Sequence, residues 1–290
     1  MAIKTVTVTI NGNTYTLTNT SGNTWSATLT APGATSWNKE NHEYPVTITA
    51  TNTAGTTVTD STYGVRVKET VAPVITISSP TGGARVTNNK QPVVFTVVDE
   101  AGGSGVNISA LVVKQDGATV PASAIKTTAI TNGYSVTYTP ANALSDGAHT
   151  VTITGSDNDG NTAAAKSTSY TIDTVPPALN ITSPANNSIT NAASCVVAGT
   201  TNDATSSPVT LTVNGTVVTV NANGSFSTTI TLSEGLNTIN IVAKDSAGKT
   251  TTVTRTVTLD TSKPAILNIT ITPNPADTGA SMVLTVTVEG

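Results

Sequence analysis

The stretch His149–Gly160, HTVTITGSDNDG, contains the pattern that decides the fold. Its first half alternates threonine with valine or isoleucine, which is the period of a β-strand with one buried face and one polar face. Its second half is rich in aspartate and asparagine, whose side chains bond the backbone two residues on, and it ends in a glycine that tolerates positive φ. The stretch therefore predicts a strand that leads directly into a tight turn.

The same arrangement occurs twice more, at Tyr44–Gly55 and at Asn237–Gly248. After each turn comes a second strand pattern, and each repeat then ends with an acidic residue that precedes a proline by four positions. These endings are Glu69 to Pro73, Asp173 to Pro177 and Asp260 to Pro264. Because proline cannot donate to a strand ladder, it marks the exit from each repeat.

The composition predicts an all-β protein. Charged residues make up 10% and aromatic residues 3% of the chain, whereas threonine and valine, which suit a pleated and half-buried surface, are abundant. The net charge is -4 without a basic cluster, so nucleic acid is not an expected partner. We find no apolar run of the ~20 residues that a membrane span needs. Cys195, the one cysteine, fits a small core residue in a strand.

Several motifs resemble bacterial immunoglobulin-like (Ig-like) repeats. They are the Asp157-Asn-Asp-Gly-Asn and Asp245-Ser-Ala-Gly-Lys turns, the Asp173-Thr-Val-Pro-Pro junction and the loop that begins Asp99-Glu-Ala-Gly-Gly. The resemblance implies tandem Ig-like β-sandwiches in an elongated rod, as in bacterial surface proteins and tailed-phage virions. It implies an extracellular, cell-surface or virion location; the numbered chain begins without a signal-peptide pattern.

The strand patterns predict four segments. Residues 71–174 and 175–261 each read as a complete Ig-like domain. Residues 1–70 read as an Ig-like domain without its first two strands, and residues 262–290 read as a tail of two strands. The tail sequence from Ile266 resembles the first strand of the third domain, so the end of the chain holds the strand types that its start lacks.

We therefore expect the tail to complete the domain 1–70 of a neighbouring copy, in a head-to-tail homo-oligomer that forms a filament or a ring. Three alternatives remain open: a fragment of a longer repeat array, a tail that covers another surface, and a first domain that is a smaller fold. The predicted contact residues are Ile266, Ile269, Ile271, Met282, Leu284, Val286 and Val288 of the tail and Val6, Val8 and Ile10 of the first domain.

Sequence motifs for catalysis are missing, which predicts a non-enzymatic protein without a cofactor. The weak candidates for a calcium site are acidic residues that also suit turn caps, in which case the fold survives chelation: Asp99, Glu100, Asp157, Asp159 and Asp173. His149 is expected to be a structural surface residue. Trp37 is either packed within its loop or in contact with a ligand. An adhesin or stalk that binds a glycan or surface receptor is the alternative to a structural role.

Overall fold

The computed structural model describes residues 2–289 and consists of β-strands, turns and two short 3-10 segments, Glu40–His42 and Ala122–Ala124. It divides into two compact units, Met1–Asp173 and Thr174–Gly290. The predicted class, all-β with sandwiches in tandem, is confirmed. The finer division into four segments stays a prediction. Among the described residues, no helix has the length and hydropathy that a membrane crossing requires.

The first sheet is antiparallel and has the strand order β2-β1-β5-β6. Asn11 and Gly12, both at positive φ, form the tight turn between β1 and β2. A separate two-stranded sheet follows β2 in the chain. The strands are β1 (Ile3–Ile10), β2 (Asn13–Thr16), β3 (Thr18–Ser21), β4 (Thr24–Ser26), β5 (Tyr44–Asn52) and β6 (Thr57–Val65), with β3 and β4 as the separate pair.

The second part of this unit is a complete sandwich. One sheet has the order β12-β13-β9-β7 and the other has the order β11-β10-β14-β15-β8. Alternate residues from both sheets fill the core, including Phe95, Ile153 and Tyr170. The strands are β7 (Val74–Ser79), β8 (Ala84–Val86), β9 (Val93–Val98), β10 (Val106–Gln115), β11 (Ala118–Thr119), β12 (Ile125–Ile130), β13 (Gly133–Tyr138), β14 (Gly147–Asp157) and β15 (Lys166–Ile172).

The second unit contains another complete sandwich, with the sheets β16-β18-β21 and β17-β23-β22-β19-β20. Its core includes Leu211, Ile241 and Cys195, which is buried as predicted. The strands are β16 (Ala178–Ser183), β17 (Ser188–Thr190), β18 (Ser194–Asn202), β19 (Thr210–Val213), β20 (Thr216–Val218), β21 (Ser225–Thr231), β22 (Gly235–Lys244) and β23 (Thr250–Leu259). A hairpin of β24 (Ala265–Thr272) and β25 (Val283–Glu289) follows.

Hydroxyl pairs connect the strands on their outer faces. Thr49 Oγ1 lies 3.2 Å from Thr59 Oγ1, and Thr152 Oγ1 lies 2.9 Å from Ser167 Oγ. Both pairs join residues that lie directly opposite each other on neighbouring strands, where side chains interact most closely. In these strands the threonine half of the alternation is therefore the solvent face, as the sequence predicts.

Trp25, Tyr134 and Phe226 occupy the same place in the three repeats, each after a turn that contains glycine, which predicts one buried core aromatic in each domain. The prediction is correct for Phe226 alone. Phe226 is buried, whereas Trp25 and Tyr134 are only half-buried. Trp25 lies on β4, in a sheet of only two strands. Tyr134 is the second residue of β13, beside the turn, so it packs at the margin of the core.

Gly133 generates a test of this packing. A Cβ atom at this position would lie 2.1 Å from the Val97 carbonyl oxygen, which belongs to the neighbouring strand β9. We expect Gly133→Ala to lower the free energy of unfolding by about 1–3 kcal/mol, because the new methyl group would clash with the backbone of β9, which cannot move aside as a flexible side chain can. Gly155→Ala is the matched control, since its Cβ would meet Leu111 Cδ1 at an ordinary 3.6 Å. Urea unfolding curves that coincide for the two variants would contradict this packing.

Candidate functional site

The apolar face of the first sheet is only partly covered. On β1, Val6 and Val8 are buried and Ile10 is half-buried. Their partners on β5 share this face, and the pairing continues to β6, where Val58 lies opposite Ala50 and Tyr63 opposite Val46. Val58 is 67% exposed and Tyr63 is 60% exposed. The cover over this face therefore ends before it reaches β6.

The outer edge of β6 also lacks a partner strand that both complete sandwiches have. In those sandwiches a short parallel strand, β8 or β17, pairs with the edge strand β15 or β23. Within residues 2–289, β6 is the last strand of its sheet. Beyond β6, the backbone of Val67 bonds Ser36, with the Ser36 N–H donating to Val67 O at 2.8 Å. A loop therefore covers the backbone just after this edge.

The C-terminal hairpin has the opposite arrangement, an apolar face with nothing on it. The cross-strand pairs on this face are Ile266–Val288, Ile269–Val286 and Ile271–Leu284. Every residue of β24 is exposed, and so is every described residue of β25. Met282 precedes β25 and is 59% exposed. The structure thus places all seven predicted tail residues in one hairpin, but whether they form a subunit interface stays a prediction.

A shared tetrapeptide shows how unusual this exposure is. Leu-Asn-Ile-Thr occurs at 179–182 in β16 and at 267–270 in β24, and both strands pair with an antiparallel strand of the same type. In the sandwich, Ile181 is only 8% exposed, whereas Ile269 in the hairpin is 56% exposed. The hairpin therefore has the form of the first two strands of a sandwich without the opposing sheet.

Trp37 lies in the loop between β4 and β5, where its ring stacks on His42 with centroids 4.2 Å apart and planes 14° apart. Its backbone N–H donates to Thr35 Oγ1 at 3.1 Å, and the next residue, Asn38, donates to the Gly103 carbonyl oxygen at 2.9 Å. These contacts favour loop packing. The role of Trp37 as a ligand contact stays a prediction.

His149 differs from the expected surface residue, because it is buried and its ring is held on both sides. Its Nδ1 lies 2.8 Å from Asp116 Oδ2, and its Nε2 lies 2.8 Å from the Ser145 carbonyl oxygen. Burial alone would lower the pKa of His149, but these hydrogen bonds outweigh it and raise the pKa. With both ring nitrogens engaged, His149 has none left to act as a general base.

The predicted calcium ligands fall into different environments. Asp157 caps its own turn by accepting from the backbone N–H groups of Gly160 at 2.6 Å and Asn161 at 2.8 Å. Asp159 accepts from Thr35 Oγ1 at 2.5 Å and from the Glu69 N–H at 3.1 Å. The backbone N–H of Asp173 donates to the Val86 carbonyl oxygen at 2.9 Å. For Asp157, the turn-cap alternative therefore describes the observed contacts.

Asp99 and Glu100 instead meet Glu69, which follows β6 and which the sequence did not single out as a ligand. Carboxylate oxygens of the three residues lie within 4.8 Å of one another. A hydrogen bond with Glu69 and burial raise the pKa of Glu100 to about 7. For Glu69, burial alone would raise the pKa, but hydrogen bonds from Glu100 and Ser104 outweigh it and lower the pKa. The signal for Glu69 was its place as the acidic residue that ends the first repeat.

Two parts of the chain match known families. Residues 177–261 match the family model described as glucodextranase, domain B, and residues 70–174 match that of the bacterial Ig-like domain. Residues 70–174 are thus the part of the chain that resembles a bacterial Ig-like domain. This match confirms the resemblance inferred from the motifs at Asp99, Asp157 and Asp173, which all lie inside it. Bacterial Ig-like repeats are typical of extracellular surface proteins and are typically non-catalytic.

The bacterial Ig-like domain thus stands in a chain that also resembles part of a much longer protein. Bacillopeptidase F from Bacillus subtilis (strain 168) is 34% identical over 123 residues. The match covers 42% of this chain and 8% of Bacillopeptidase F. The chain therefore spans under a tenth of the length of that relative.

Solved structures of repeat proteins are also similar. The fibronectin(III)-like modules of Clostridium thermocellum CbhA have 18% identity and a TM-score of 0.39, with 64% of this chain and 94% of theirs covered. The titin fragment I67–I69 has 14% identity and a TM-score of 0.43, with 89% of this chain and 88% of the fragment covered. A tetra-tandem repeat from the extending region of a large adhesion protein has 21% identity and a TM-score of 0.35, with 98% of this chain and 79% of that chain covered. Neither fold nor function is inferred from TM-scores this low.

The His149–Asp116 pair inside the bacterial Ig-like domain predicts a pH-dependent stability. The raised pKa of His149 means that its contribution is complete below the unfolded-state pKa, about 6.5, and is lost as pH rises through the folded-state value. The lowered pKa of Asp116 gives a contribution that is lost only in acid. We expect the stability difference between the wild type and His149→Gln to shrink from about pH 6 to pH 8.

Thermal unfolding at several pH values measures this difference, with the exposed His42→Gln as the matched control. A difference that stays constant between pH 6 and pH 8 would show that the pair is not a source of the pH dependence.

Proposed function

We propose that this chain is a non-enzymatic structural protein whose copies join head to tail, the hairpin of one copy completing the open first sandwich of the next. The observation that carries the proposal is the contrast between Ile181 and Ile269, which have the same local sequence and opposite exposure. An apolar hairpin face and an apolar sheet face, each without full cover, are complementary in chemistry.

The strand order of the second sandwich supports a specific way to combine them. There, the hairpin β12-β13 is extended by β9 and then by β7, which gives the sheet β12-β13-β9-β7. In the first part of the chain, β3 and β4 form a hairpin, and within residues 2–289 no further strand pairs with β4. If β25 of another copy paired with β4, the sheet β3-β4-β25-β24 would have the same order. Backbone hydrogen bonds would then specify the register.

The gain from such a contact comes mainly from apolar burial. The three cross-strand pairs of the hairpin face would cover the sheet that ends in Val58 and Tyr63. Six such side chains contribute ~1.5–3 kcal/mol each before the costs of ordering and association. Since the donor hairpin and the acceptor sheet are different surfaces of one chain, the contact is heterologous and generates a filament, or a ring if it closes. An extracellular filament or a virion component fits these properties.

A second function is favoured by the match to Bacillopeptidase F, of which the matched part covers only 8%. In that case, sequence outside this chain would supply the missing strands, and the sandwiches would form part of the stalk of a surface protein or adhesin. Binding of a glycan or surface receptor through Trp37 belongs to this alternative.

A charge on the apolar face of the hairpin tests the proposal. Leu284→Asp places a carboxylate among Ile269, Ile271 and Val286, and the burial of an unpaired charge in an interface is strongly unfavourable. We expect this variant to remain a monomer at concentrations at which the wild type assembles. Thr285→Asp, on the opposite face of the same strand, is the matched control and should assemble normally. Analytical ultracentrifugation over a concentration series measures the difference.

A wild-type chain that remains monomeric at high concentration would overturn self-assembly and favour the stalk. Equal assembly of Leu284→Asp and Thr285→Asp would overturn the role of the hairpin face.

Removal of the hairpin gives an independent prediction. A chain ending at residue 261 should be monomeric, because it has an acceptor sheet and no donor. Its first sheet should exchange amide hydrogens faster than that of the assembled wild type, since local stability follows apolar cover. A peptide of residues 262–290 should slow that exchange again. Hydrogen exchange read out by mass spectrometry at β1 and β5 checks this outcome, and unchanged exchange would contradict it.

A further inference from the structure

The carboxylate cluster of Glu69, Asp99 and Glu100 contains a buried acid whose partners are incomplete. Asp99 is only 3% exposed. Its Oδ2 accepts a hydrogen bond from the Gly105 N–H at 2.7 Å, whereas its Oδ1 is buried and has no hydrogen-bond partner. Oε2 of Glu69 and Oε2 of Glu100 are likewise buried without a protein donor, and the two carboxyl groups can bond each other only by sharing a proton. Each of the three carboxyl groups thus has a buried oxygen without a protein donor, and carboxylate oxygens of the three lie within 4.8 Å of one another, where the desolvation of each is costly.

Positive charge from the protein does not balance this cluster. Within the described part of the chain, none of the three carboxylates forms an ion pair with lysine or arginine. Lys68, the neighbour of Glu69 in sequence, directs its Nζ to the Asp159 carbonyl oxygen at 3.2 Å. The backbone N–H of Ser104 donates to Glu69, which fixes the carboxylate without neutralising it. No lysine or arginine of residues 2–289 therefore pairs with the cluster to neutralise it.

Gly103 keeps the space between these groups open. A Cβ atom at this position would lie 2.7 Å from Asp99 Oδ2 and 2.8 Å from Glu69 Oε2. Any other residue would therefore enter the volume where the oxygens converge. The glycine makes room for the three carboxyl groups to approach each other, and this approach is unfavourable unless a positive species joins them.

We propose that Glu69, Asp99 and Glu100 bind a hard divalent cation, with calcium preferred to magnesium. All the donor atoms are carboxylate oxygens, which are the ligands of hard cations. Calcium accepts six to eight oxygens and tolerates bidentate carboxylates in irregular geometry, whereas magnesium requires a near-ideal octahedron. Asp99 and Glu100 follow β9 in the second sandwich, and Glu69 belongs to the segment that leads out of the first sheet. The bound cation would therefore fasten this segment to the loop 99–105.

Calorimetric titration of the full chain, first treated with a chelator, tests this site with calcium chloride and magnesium chloride as the probes. We expect Asp99→Asn to bind one fewer equivalent of calcium per chain than the wild type. Glu40→Gln, which removes an exposed carboxylate of the same unit, is the matched control and should keep the full number of equivalents. Calcium should raise the melting temperature of the wild type more than that of Asp99→Asn.

Equal numbers of calcium equivalents in the wild type and in Asp99→Asn would overturn the proposal, and so would a preference for magnesium. If Asp99→Asn fails to fold, as judged by circular dichroism, Gly103→Ala decides, because its Cβ would occupy the site while every carboxylate remains. Retention of the full number of equivalents by Gly103→Ala would then overturn it.

Discussion

A sheet with one apolar face is stable only when a second layer covers that face, and the rest of this structure depends on that constraint. In the two complete sandwiches the cover is supplied from within, so Val151, Ile153, Ile239 and Ile241 have no exposed surface. The first sheet has the same alternation of residues but a thinner cover. The hairpin has no cover at all. The same sequence pattern therefore gives a core in one place and an exposed apolar face in another.

The regular parts of the fold could be predicted because local chemistry decides them. Alternation of threonine with valine or isoleucine gives strands of period two, and turns such as Asn11-Gly12 and Asn214-Gly215 adopt the positive φ values that their residues favour. The match between the hairpin and the first strands of the sandwiches could also be read from the sequence, since Leu-Asn-Ile-Thr appears in both. The regularity of a repeat makes such comparisons informative.

The surroundings of individual side chains could not be predicted in the same way, since they depend on which elements meet in space. Trp25 and Phe226 occupy similar places in the sequence, yet only Phe226 has both sheets around it. The sequence predicts a surface position for His149, whereas the structure buries it against Asp116, which lies in the turn between β10 and β11. Among the acidic residues, sequence chemistry could not separate the turn cap Asp157 from Asp99. Glu69 joins Asp99 through a tertiary contact between residues distant in the chain.

The hydroxyl pairs on the outer faces have a consequence for the conditions that the protein can tolerate. Bonds such as Thr49–Thr59 and Thr152–Ser167 join neutral groups, so dissolved salt has no charge to screen. An exterior held together by ion pairs would weaken as salinity rises and would change with acidity. The cross-strand hydroxyl bonds therefore depend neither on ionic strength nor on pH as long as the hydroxyl groups stay neutral.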